Sequence, residues 1–358
     1  MLMITFSEAL INYELLGMNM VVVGVIGTGY WGKNHVKTFC SLQNEGLIEK
    51  VIVCDSNLSR AIEIGEEFGC EYATDPMELP SLGVSMVTIA TPTPSHASLT
   101  IMMLENGLDV LVEKPLAMNT SEAEEVIKCA KNTGNLLLVG HVFRHHAGVR
   151  KAAELVKNGI IGNVRHMISE RLATREPRSD NGVIAALGIH DFDICCDILG
   201  GVEPDSIQGV ATESKIKGIE DHASLQMIFG GGVVGFVELS WRSRVRGKVR
   251  ALQIIGTEGS ISLDYLDHSG LWLHQHPNDG HGDEFGGFGS APRKRIEIPN
   301  GEPALTAELR DFVLRSIGER VGPTLNGGDI GLQGMMRVEL ALLATGFENQ
   351  LNSNQENE

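Results

Sequence analysis

The sequence has no run of about 18 consecutive apolar residues, so no segment is expected to cross a membrane. It is short of positive charge. Lys and Arg number 29 against 46 Asp and Glu, a formal net charge of -17. That deficit excludes nucleic-acid binding through a general basic field and leaves the acidity to serve solubility. Six cysteines are present (Cys40, Cys54, Cys70, Cys129, Cys195 and Cys196) and none forms a CxxC. Most stand in apolar runs and read as buried thiols in a reducing cytoplasm, the expected compartment. The first residues carry Glu8 and Glu14 without a basic n-region, which argues against a secretory leader. No internal repeat or low-complexity tract is found. His141, His145 and His146 are close in sequence, as are His274, His276 and His281. No cysteine or carboxylate cluster completes a four-ligand spacing around either set, so no metal site is expected.

What the sequence does have is glycine, 42 residues, and an apolar fraction of 42% over 358 residues, enough for two domains with their own cores. Residues 1–19 read as an N-terminal extension. From residue 20 to about 145 short apolar runs alternate with helical stretches. Strands are expected at Val21–Ile26, Val51–Cys54, Val84–Ala90, Val110–Val112 and Leu136–Val139. Helices are expected at Gly32–Leu42, Ser59–Phe68, Ser95–Asn106 and Ser121–Asn132. Near-continuous apolar strands in this rhythm predict an α/β domain with a doubly wound parallel sheet.

Over 146–350 the rhythm changes. A helix at Gly148–Asn158 precedes strand-like segments with no helices between them: Val164–Ser169, Ala223–Phe229, Val233–Leu239, Ala251–Ile255, Ser260–Tyr265 and Leu271–His274. Gly230-Gly231-Gly232 and Thr257-Glu258-Gly259 are turn signals. The reading is an α+β domain with a large, mostly antiparallel sheet, one face on helices and the other on a partner subunit. His276–Ser290 lacks periodicity and reads as a loop. Helices follow at Ala304–Ile317 and Ile330–Thr345, and 351–358 is a polar tail. The C-terminal helices are free to pack back on the first domain.

Gly27-Thr28-Gly29-Tyr30-Trp31-Gly32 is a GxGxxG placed directly after a strand and opening a helix, the context dinucleotide binding requires. Gly27 permits the tight turn, Gly29 lets the backbone approach a diphosphate, and Gly32 lets helix and strand pack closely. The helix N-terminus adds free N–H groups and partial positive charge. A glycine-rich turn without a ligand is the other reading. Asp55 ends the second strand, where a carboxylate accepts hydrogen bonds from the ribose hydroxyls and repels a 2′-phosphate. It also reads as a cap of the following turn. Ser56 and Arg60 stand beside it, and Arg60 offers a counter-charge to NADP, yet the balance favours NAD.

Glu113-Lys114-Pro115 follows a strand end, where parallel sheets present ligand crevices. An ammonium at Lys114 stabilises a developing alkoxide. His190, within Gly188-Ile189-His190-Asp191-Phe192-Asp193, titrates near neutral pH and suits proton abstraction from a hydroxyl, with Asp191 or Asp193 to orient the ring or bind substrate. Taken singly, Lys114 also reads as a surface turn residue and His190 as a structural histidine. Trp241, Arg242, Arg244, Arg246 and Lys248 form a basic run that reads as a solvated or inter-subunit face.

In order along the chain, the glycine turn, Asp55, Thr91-Pro92-Thr93-Pro94-Ser95-His96, Glu113-Lys114-Pro115, Val139-Gly140-His141-Val142-Phe143-Arg144 and Gly188-Ile189-His190-Asp191 resemble the Gfo/Idh/MocA oxidoreductase family from about Val21 to Thr345. The resemblance implies a Rossmann domain followed by an open-faced sheet domain, with Lys114 and His190 flanking the reacting carbon. It implies that Tyr30 and Trp31 join the cofactor site and that Thr91, Pro92 and His96 line its nicotinamide half, with Glu113 beside them. Arg144 would stand near substrate. Apart from the resemblance, His145 or His146 is expected near the crevice, with His145 the candidate for substrate contact. Many members carry an aspartate four residues before the histidine. Here that position is Ala186, so the base is expected to be His190 alone or with Asp191. The segment Arg171–Arg178 is similar to the loop before the histidine in members acting on nucleotide sugars, where Arg171 and Arg175 would grip a diphosphate. A solvated loop is the other reading.

These residues describe an NAD-dependent dehydrogenase for a sugar hydroxyl, with a nucleotide sugar such as UDP-N-acetylglucosamine, oxidised at its 3-hydroxyl, as the implied substrate. Alternatives that keep the cofactor are an inositol or simple-sugar dehydrogenase, an NAD-dependent redox glycosidase and a non-catalytic NAD(H)-binding sensor. A homodimer or homotetramer through the second-domain sheet is expected, with no nucleic-acid or membrane partner.

Overall fold

A computed structural model of the chain describes residues 21–178, 181–243, 247–275, 293–299, 301–348 and 350. The expected extension at 1–19, the expected loop at 276–290, Arg244, Arg246 and the tail at 351–358 lie outside the described residues. The chain divides into two compact units. One comprises the residues through Val142 together with Leu305–Gln333. The other comprises Phe143–Ala304 and the residues from Gly334 onward.

The first unit contains a six-stranded sheet. Its strands are β1 (Val21–Ile26), β2 (Ile48–Cys54), β3 (Glu71–Ala73), β4 (Val84–Ile89), β5 (Asp109–Val112) and β6 (Leu137–Val139). They lie in the order β3-β2-β1-β4-β5-β6, and every pairing is parallel. The order reverses between β1 and β4, the switch point whose carboxyl-end crevice takes ligands in open α/β sheets. The helices α1 (Tyr30–Asn44), α2 (Leu58–Phe68), α3 (His96–Glu105) and α4 (Thr120–Thr133) supply the crossovers. Local chemistry sets their starts: the Asn57 side chain accepts from Arg60 N–H at α2, and Asn119 does the same for Glu122 at α4. The core joins Val23 and Val25 of β1, Val36, Phe39 and Leu42 of α1, and Leu309, Phe312 and Val313 from near the C-terminus.

In the second unit α5 (Ala147–Lys157) is followed by β7 (Val164–Leu172) and α6 (Ile189–Ile198). Then come β8 (Ser206–Glu213), β9 (Glu220–Phe229), β10 (Val233–Ser240), β11 (Val249–Gly256), β12 (Gly259–Asp264), β13 (Gly270–Gln275) and β14 (Arg293–Glu297). The eight strands are ordered β14-β13-β12-β11-β7-β10-β9-β8 and pair antiparallel except β7 with β10. Two last helices, α7 (Ala304–Ser316) and α8 (Gly328–Thr345), close the described chain. One sheet face presents Met167, Leu225, Val237, Leu252 and Ile261 to a core shared with Val149 and Ala152 of α5 and with Ile189, Phe192 and Cys195 of α6. The residues that alternate with these, including Ile168, Phe236, Gln253 and Ser262, remain partly or fully exposed, the strand period of two seen from its uncovered side.

Both expected sheets are present. Five features depart from expectation. A helix, α6, interrupts the run of strands that was expected to contain none. The strands β3, β8 and β14 were not foreseen. β7 runs on to Leu172, which takes Arg171 out of the expected arginine loop. Among the described residues no helix is long and apolar enough to cross a membrane.

Candidate functional site

In the first unit three glycines build the turn after β1, each for its own reason. Gly27 has a φ of 85°, and its N–H donates to Cys54 O at 2.8 Å. A Cβ on Gly32 would stand 1.8 Å from the Gly27 carbonyl oxygen, so glycine alone lets α1 begin against the end of β1. Gly29 is different. Its φ is -64°, open to any residue, and a Cβ there would meet nothing within 4 Å. Packing among the described residues therefore does not require glycine at 29. Gly29 is also the N-cap of α1 and offers no side-chain cap, leaving the N–H groups of the first turn for another acceptor. Open space beside an uncapped helix N-terminus suits a diphosphate. Tyr30, 89% exposed, and Trp31 follow on that turn.

Asp55, at the end of β2, is tied into this turn. Its Oδ2 accepts from Thr28 N–H at 2.9 Å and Thr28 Oγ1 at 3.0 Å, with Arg60 Nη1 at 3.5 Å, and its Oδ1 accepts from Asn57 N–H at 2.9 Å. Burial works to raise the carboxyl, but the donors from Thr28 and Asn57 and the charge of Arg60 outweigh it and hold it below the usual range. Capping the following turn and fixing the glycine loop are thus one job, and Oδ1 retains capacity for a further donor. Ser56 is exposed beside it.

Glu113 follows β5 and is nearly enclosed. Trp31 Nε1 donates to its Oε1 at 2.5 Å, His35 Nε2 lies 3.0 Å from the same oxygen, and the Lys114 N–H reaches Oε2 at 3.3 Å. Burial pushes this carboxyl up, yet the bonds from His35 and Trp31, with Lys114 nearby, bring it below its ordinary value. A Cβ on Gly140 would press on the Glu113 carboxylate at 2.9 Å. His96, buried on α3, has Nε2 2.9 Å from Thr91 O and Nδ1 2.7 Å from Pro115 O. It thereby ties the Thr91 turn to the turn bearing half-buried Lys114. Ser95 Oγ donates to Thr91 Oγ1 at 2.8 Å, and Pro92 is exposed. Gly27, Asp55, Arg60, Thr91, His96, Glu113 and Lys114 are thus gathered at the carboxyl ends of the parallel strands.

The second unit's candidates gather on α6. A π-helical turn, Ile184–Gly188, feeds into it and contains Ala186. Glu220 steadies that turn by accepting from Ile184 N–H at 2.8 Å. His190 is buried in the first turn of α6, and the Phe143 ring meets its imidazole edge-on with centroids 5.0 Å apart. Asp191 accepts from Ser169 Oγ and from Arg171 Nε, both at 2.6 Å. The Arg171 guanidinium lies 4.1 Å from the centroid of Phe143 and 4.7 Å from that of Tyr265. Asp193 takes a two-pronged bond from Arg144, 2.7 Å on each oxygen, with Arg337 Nη1 at 3.3 Å. Asp197 faces Arg144 and Arg150. The helix that carries His190 is therefore pinned by carboxylate–guanidinium pairs, buried ones from β7, from the turn after β6 and from α8, and a partly buried one from α5.

These placements correct the expected arginine loop. Arg171 sits on a strand, 2% exposed, committed to Asp191 and two rings, and has no open side for a diphosphate. Asp191 likewise serves Arg171 and Ser169. Arg144 is buried against Asp193. His145 is buried in the turn Val142–His145. Arg175 remains exposed, its guanidinium 5.2 Å from the Trp241 ring centroid. His146 caps α5: its Nδ1 accepts from the N–H groups of Gly148 and Val149, and Nε2 lies 3.1 Å from Tyr265 O. Burial, with the charges of His268 and Arg171, depresses it to about 4, the neutral form this bonding requires. Arg242 pairs with Asp221 at 3.0 Å.

Thr28, His35, Phe143, Ser169 and Tyr265 belong to these constellations without having been assigned a role from sequence. His35 had one signal, its place in the buried α1 face with Gly32, Val36, Phe39 and Leu42.

Two profiles match the chain. One, an oxidoreductase family with an NAD-binding Rossmann fold, covers residues 21–141. The other, the GFO/IDH/MocA C-terminal domain, covers 149–262. The UDP-N-acetylglucosamine 3-dehydrogenase of Acidithiobacillus ferrooxidans is 29% identical over 297 residues, 81% of this chain and 87% of that protein. Its crystal structure superposes with a TM-score of 0.76 at 26% identity, covering 93% of this chain and all of that one. The NAD(+)-dependent scyllo-inositol 2-dehydrogenase of Bacillus subtilis is 30% identical over 265 residues, 70% of this chain and 75% of that protein. A levoglucosan dehydrogenase in complex with NADH and levoglucosan shares the fold, with a TM-score of 0.78 at 20% identity, covering 92% of this chain and 98% of the other.

Proposed function

The chain belongs to the GFO/IDH/MocA family of NAD-binding oxidoreductases, and on that premise we propose that it is an NAD-dependent dehydrogenase acting at a hydroxyl-bearing carbon of a sugar. Its proposed substrate class is a nucleotide sugar of the UDP-N-acetylglucosamine kind, oxidised at the 3-hydroxyl, a reading supported by the similarity to a dehydrogenase of that name. The observation that carries the cofactor half is the open space at Gly29 beside the uncapped start of α1, with Asp55 anchored next to it.

Gly27, Gly29 and Gly32 with the first N–H groups of α1 hold the diphosphate. Asp55 Oδ1 accepts from the adenosine ribose, and the charge of Asp55 disfavours a 2′-phosphate, which selects NAD over NADP. Bound NAD supplies the hydride acceptor. Lys114 hydrogen-bonds the reacting hydroxyl oxygen and stabilises the negative charge that develops there. His190 removes the hydroxyl proton as general base. Ala186 stands one turn earlier, where many members of the family carry an aspartate, and Asp191 is committed to Arg171 and Ser169, so the base role falls to His190. Arg175, exposed in the segment after β7, is the arginine proposed to meet a substrate diphosphate. Val210, 68% exposed, and Phe236, 38% exposed, lie on the uncovered face of the second-unit sheet, which is the proposed surface for a homodimer or homotetramer.

The test is an absorbance screen at the NADH band with UDP-sugars, inositols and hexoses, run with NAD and NADP in parallel. A nucleotide sugar with NAD is expected to give steady NADH. Lys114→Ala and His190→Ala are each expected to reduce kcat/KM by about 100-fold or more. No NADH from any sugar, or variants within about tenfold of the parent, would refute the assignment.

A further inference from the structure

Two thiols that the dehydrogenase chemistry leaves unused face one another in the first unit. Cys40 on α1 and Cys70, between α2 and β3, place their sulfurs 3.6 Å apart. Both are half-buried, whereas Cys54, Cys195 and Cys196 are buried. We propose that Cys40 and Cys70 form an oxidation site, a thiol pair that hydrogen peroxide converts into an intramolecular disulfide stapling α1 to the segment after α2.

Three features support the pairing. The sulfurs need only close from 3.6 Å to the disulfide distance of about 2.05 Å, and both belong to side chains at the margin of the core rather than within it. The same two helices are already held side by side, by Lys33 and Glu67 at 2.7 Å and by the Lys33 ammonium 5.9 Å from the Phe68 ring centroid. The two thiols are also unequal. The hydrogen bond with Cys70 lowers the Cys40 thiol despite opposing burial, and the same contact with burial pushes the Cys70 thiol up. Cys40 is taken as the attacking sulfur and Cys70 as the resolving one, and the reverse order gives the same disulfide.

The chemistry balances with the peroxide as oxidant. The Cys40 thiolate attacks one peroxide oxygen, and the O–O bond breaks. The leaving hydroxide takes up a proton to become water, and Cys40 becomes a sulfenic acid. Cys70 sulfur then attacks Cys40 sulfur, the S–O bond breaks, and the proton of the Cys70 thiol leaves with the departing oxygen as a second water. Two thiols lose two electrons, and one peroxide is reduced to two waters. The loop so closed contains Asp55, Asn57 and Arg60, and α1 begins at the glycine turn, so the staple joins both sides of the adenosine end of the cradle. The inference does not depend on which sugar is oxidised.

The full-length protein is treated with stoichiometric hydrogen peroxide, then its thiols are counted under denaturing conditions and its peptides mapped by mass spectrometry. The expected result is loss of two hydrogens, four of the six thiols remaining, and a single linked peptide pair holding Cys40 and Cys70. The link is expected in Cys129→Ser and absent from Cys40→Ser and Cys70→Ser. The oxidised protein is expected to unfold several degrees higher, a shift reversed by dithiothreitol. Six thiols remaining, a link through other cysteines, or a Cys40 sulfinic acid with Cys70 still reduced would each overturn the proposal.

Discussion

Arg171 Nε lies 2.6 Å from Asp191 Oδ2, and neither side chain is more than 2% exposed. This contact joins the strand β7 to the helix that carries His190, with the guanidinium enclosed by the Phe143 and Tyr265 rings. Removing one partner leaves the other charge buried and uncompensated. Asp191→Ala is expected to cost about 3–5 kcal/mol in urea unfolding. The double variant Asp191→Leu with Arg171→Met is expected to recover much of that loss. Additive losses would show that the pair does not act as a unit.

Glu308 gives a pH dependence of opposite sign to most carboxylates. It is fully buried, and its Oε1 accepts from Asn326 Nδ2 at 3.0 Å. Burial, helped by the charge of Glu113, raises its carboxyl well above the usual range. The folded protein therefore holds this proton more tightly than the unfolded chain. Its contribution to stability is fully present below about pH 4.3 and is lost as pH rises toward the folded value. Glu308→Gln is expected to melt about 2–4 °C above the parent at pH 8, with the gap narrowing at pH 4.5. A gap that widens toward acid would reverse the sign and contradict this.

Asp55 behaves the other way. Its carboxyl is held below the ordinary range, so its bonds to Thr28 and Asn57 are in place above the unfolded value of about 3.9 and are lost as pH falls through the folded one. Asp55→Ser with Arg60 retained is expected to weaken NAD binding about tenfold or more and to narrow or invert its preference over NADP. Isothermal titration with both dinucleotides reads this. An unchanged preference would take the ribose role away from Asp55.

The proposed subunit contact rests on the uncovered sheet face. Phe236→Glu places a charge at its middle and is expected to convert the oligomer to monomer by light scattering, with cofactor affinity unchanged. An oligomer of unaltered mass would move the interface elsewhere.

Much of the parallel-sheet unit was readable in sequence because its strands are short buried apolar runs and its helices keep an amphipathic period. The second unit concealed α6 for a physical reason. Ile189 through Cys196 are all buried, so the helix has no polar face, and its aspartates point at arginines instead of water. Arg171 deceived for the same reason, since a cation enclosed by two rings and a carboxylate reads in sequence as a solvated one. β14, Arg293-Lys294-Arg295-Ile296-Glu297, is a charged edge strand whose composition hides its pairing, and β3 is three residues long. The glycine turn was legible together with the separate tasks of its glycines, because the GxGxxG spacing between a strand and a helix carries them. The structure adds the contacts behind them: Gly32 is required by the Gly27 carbonyl, while among the described residues beyond its chain neighbours nothing meets a Cβ at Gly29.

That contrast supplies the most direct test of the cofactor site. Gly29→Ala adds a methyl group where, among the described residues beyond its chain neighbours, no atom lies within 4 Å and where φ is -64°. The melting temperature without ligand is expected to stay within about 2 °C of the parent. The affinity for NAD, by isothermal titration, is expected to fall about tenfold or more, because the added carbon occupies the space of the diphosphate. An equally stable variant that binds NAD as tightly as the parent would contradict the account.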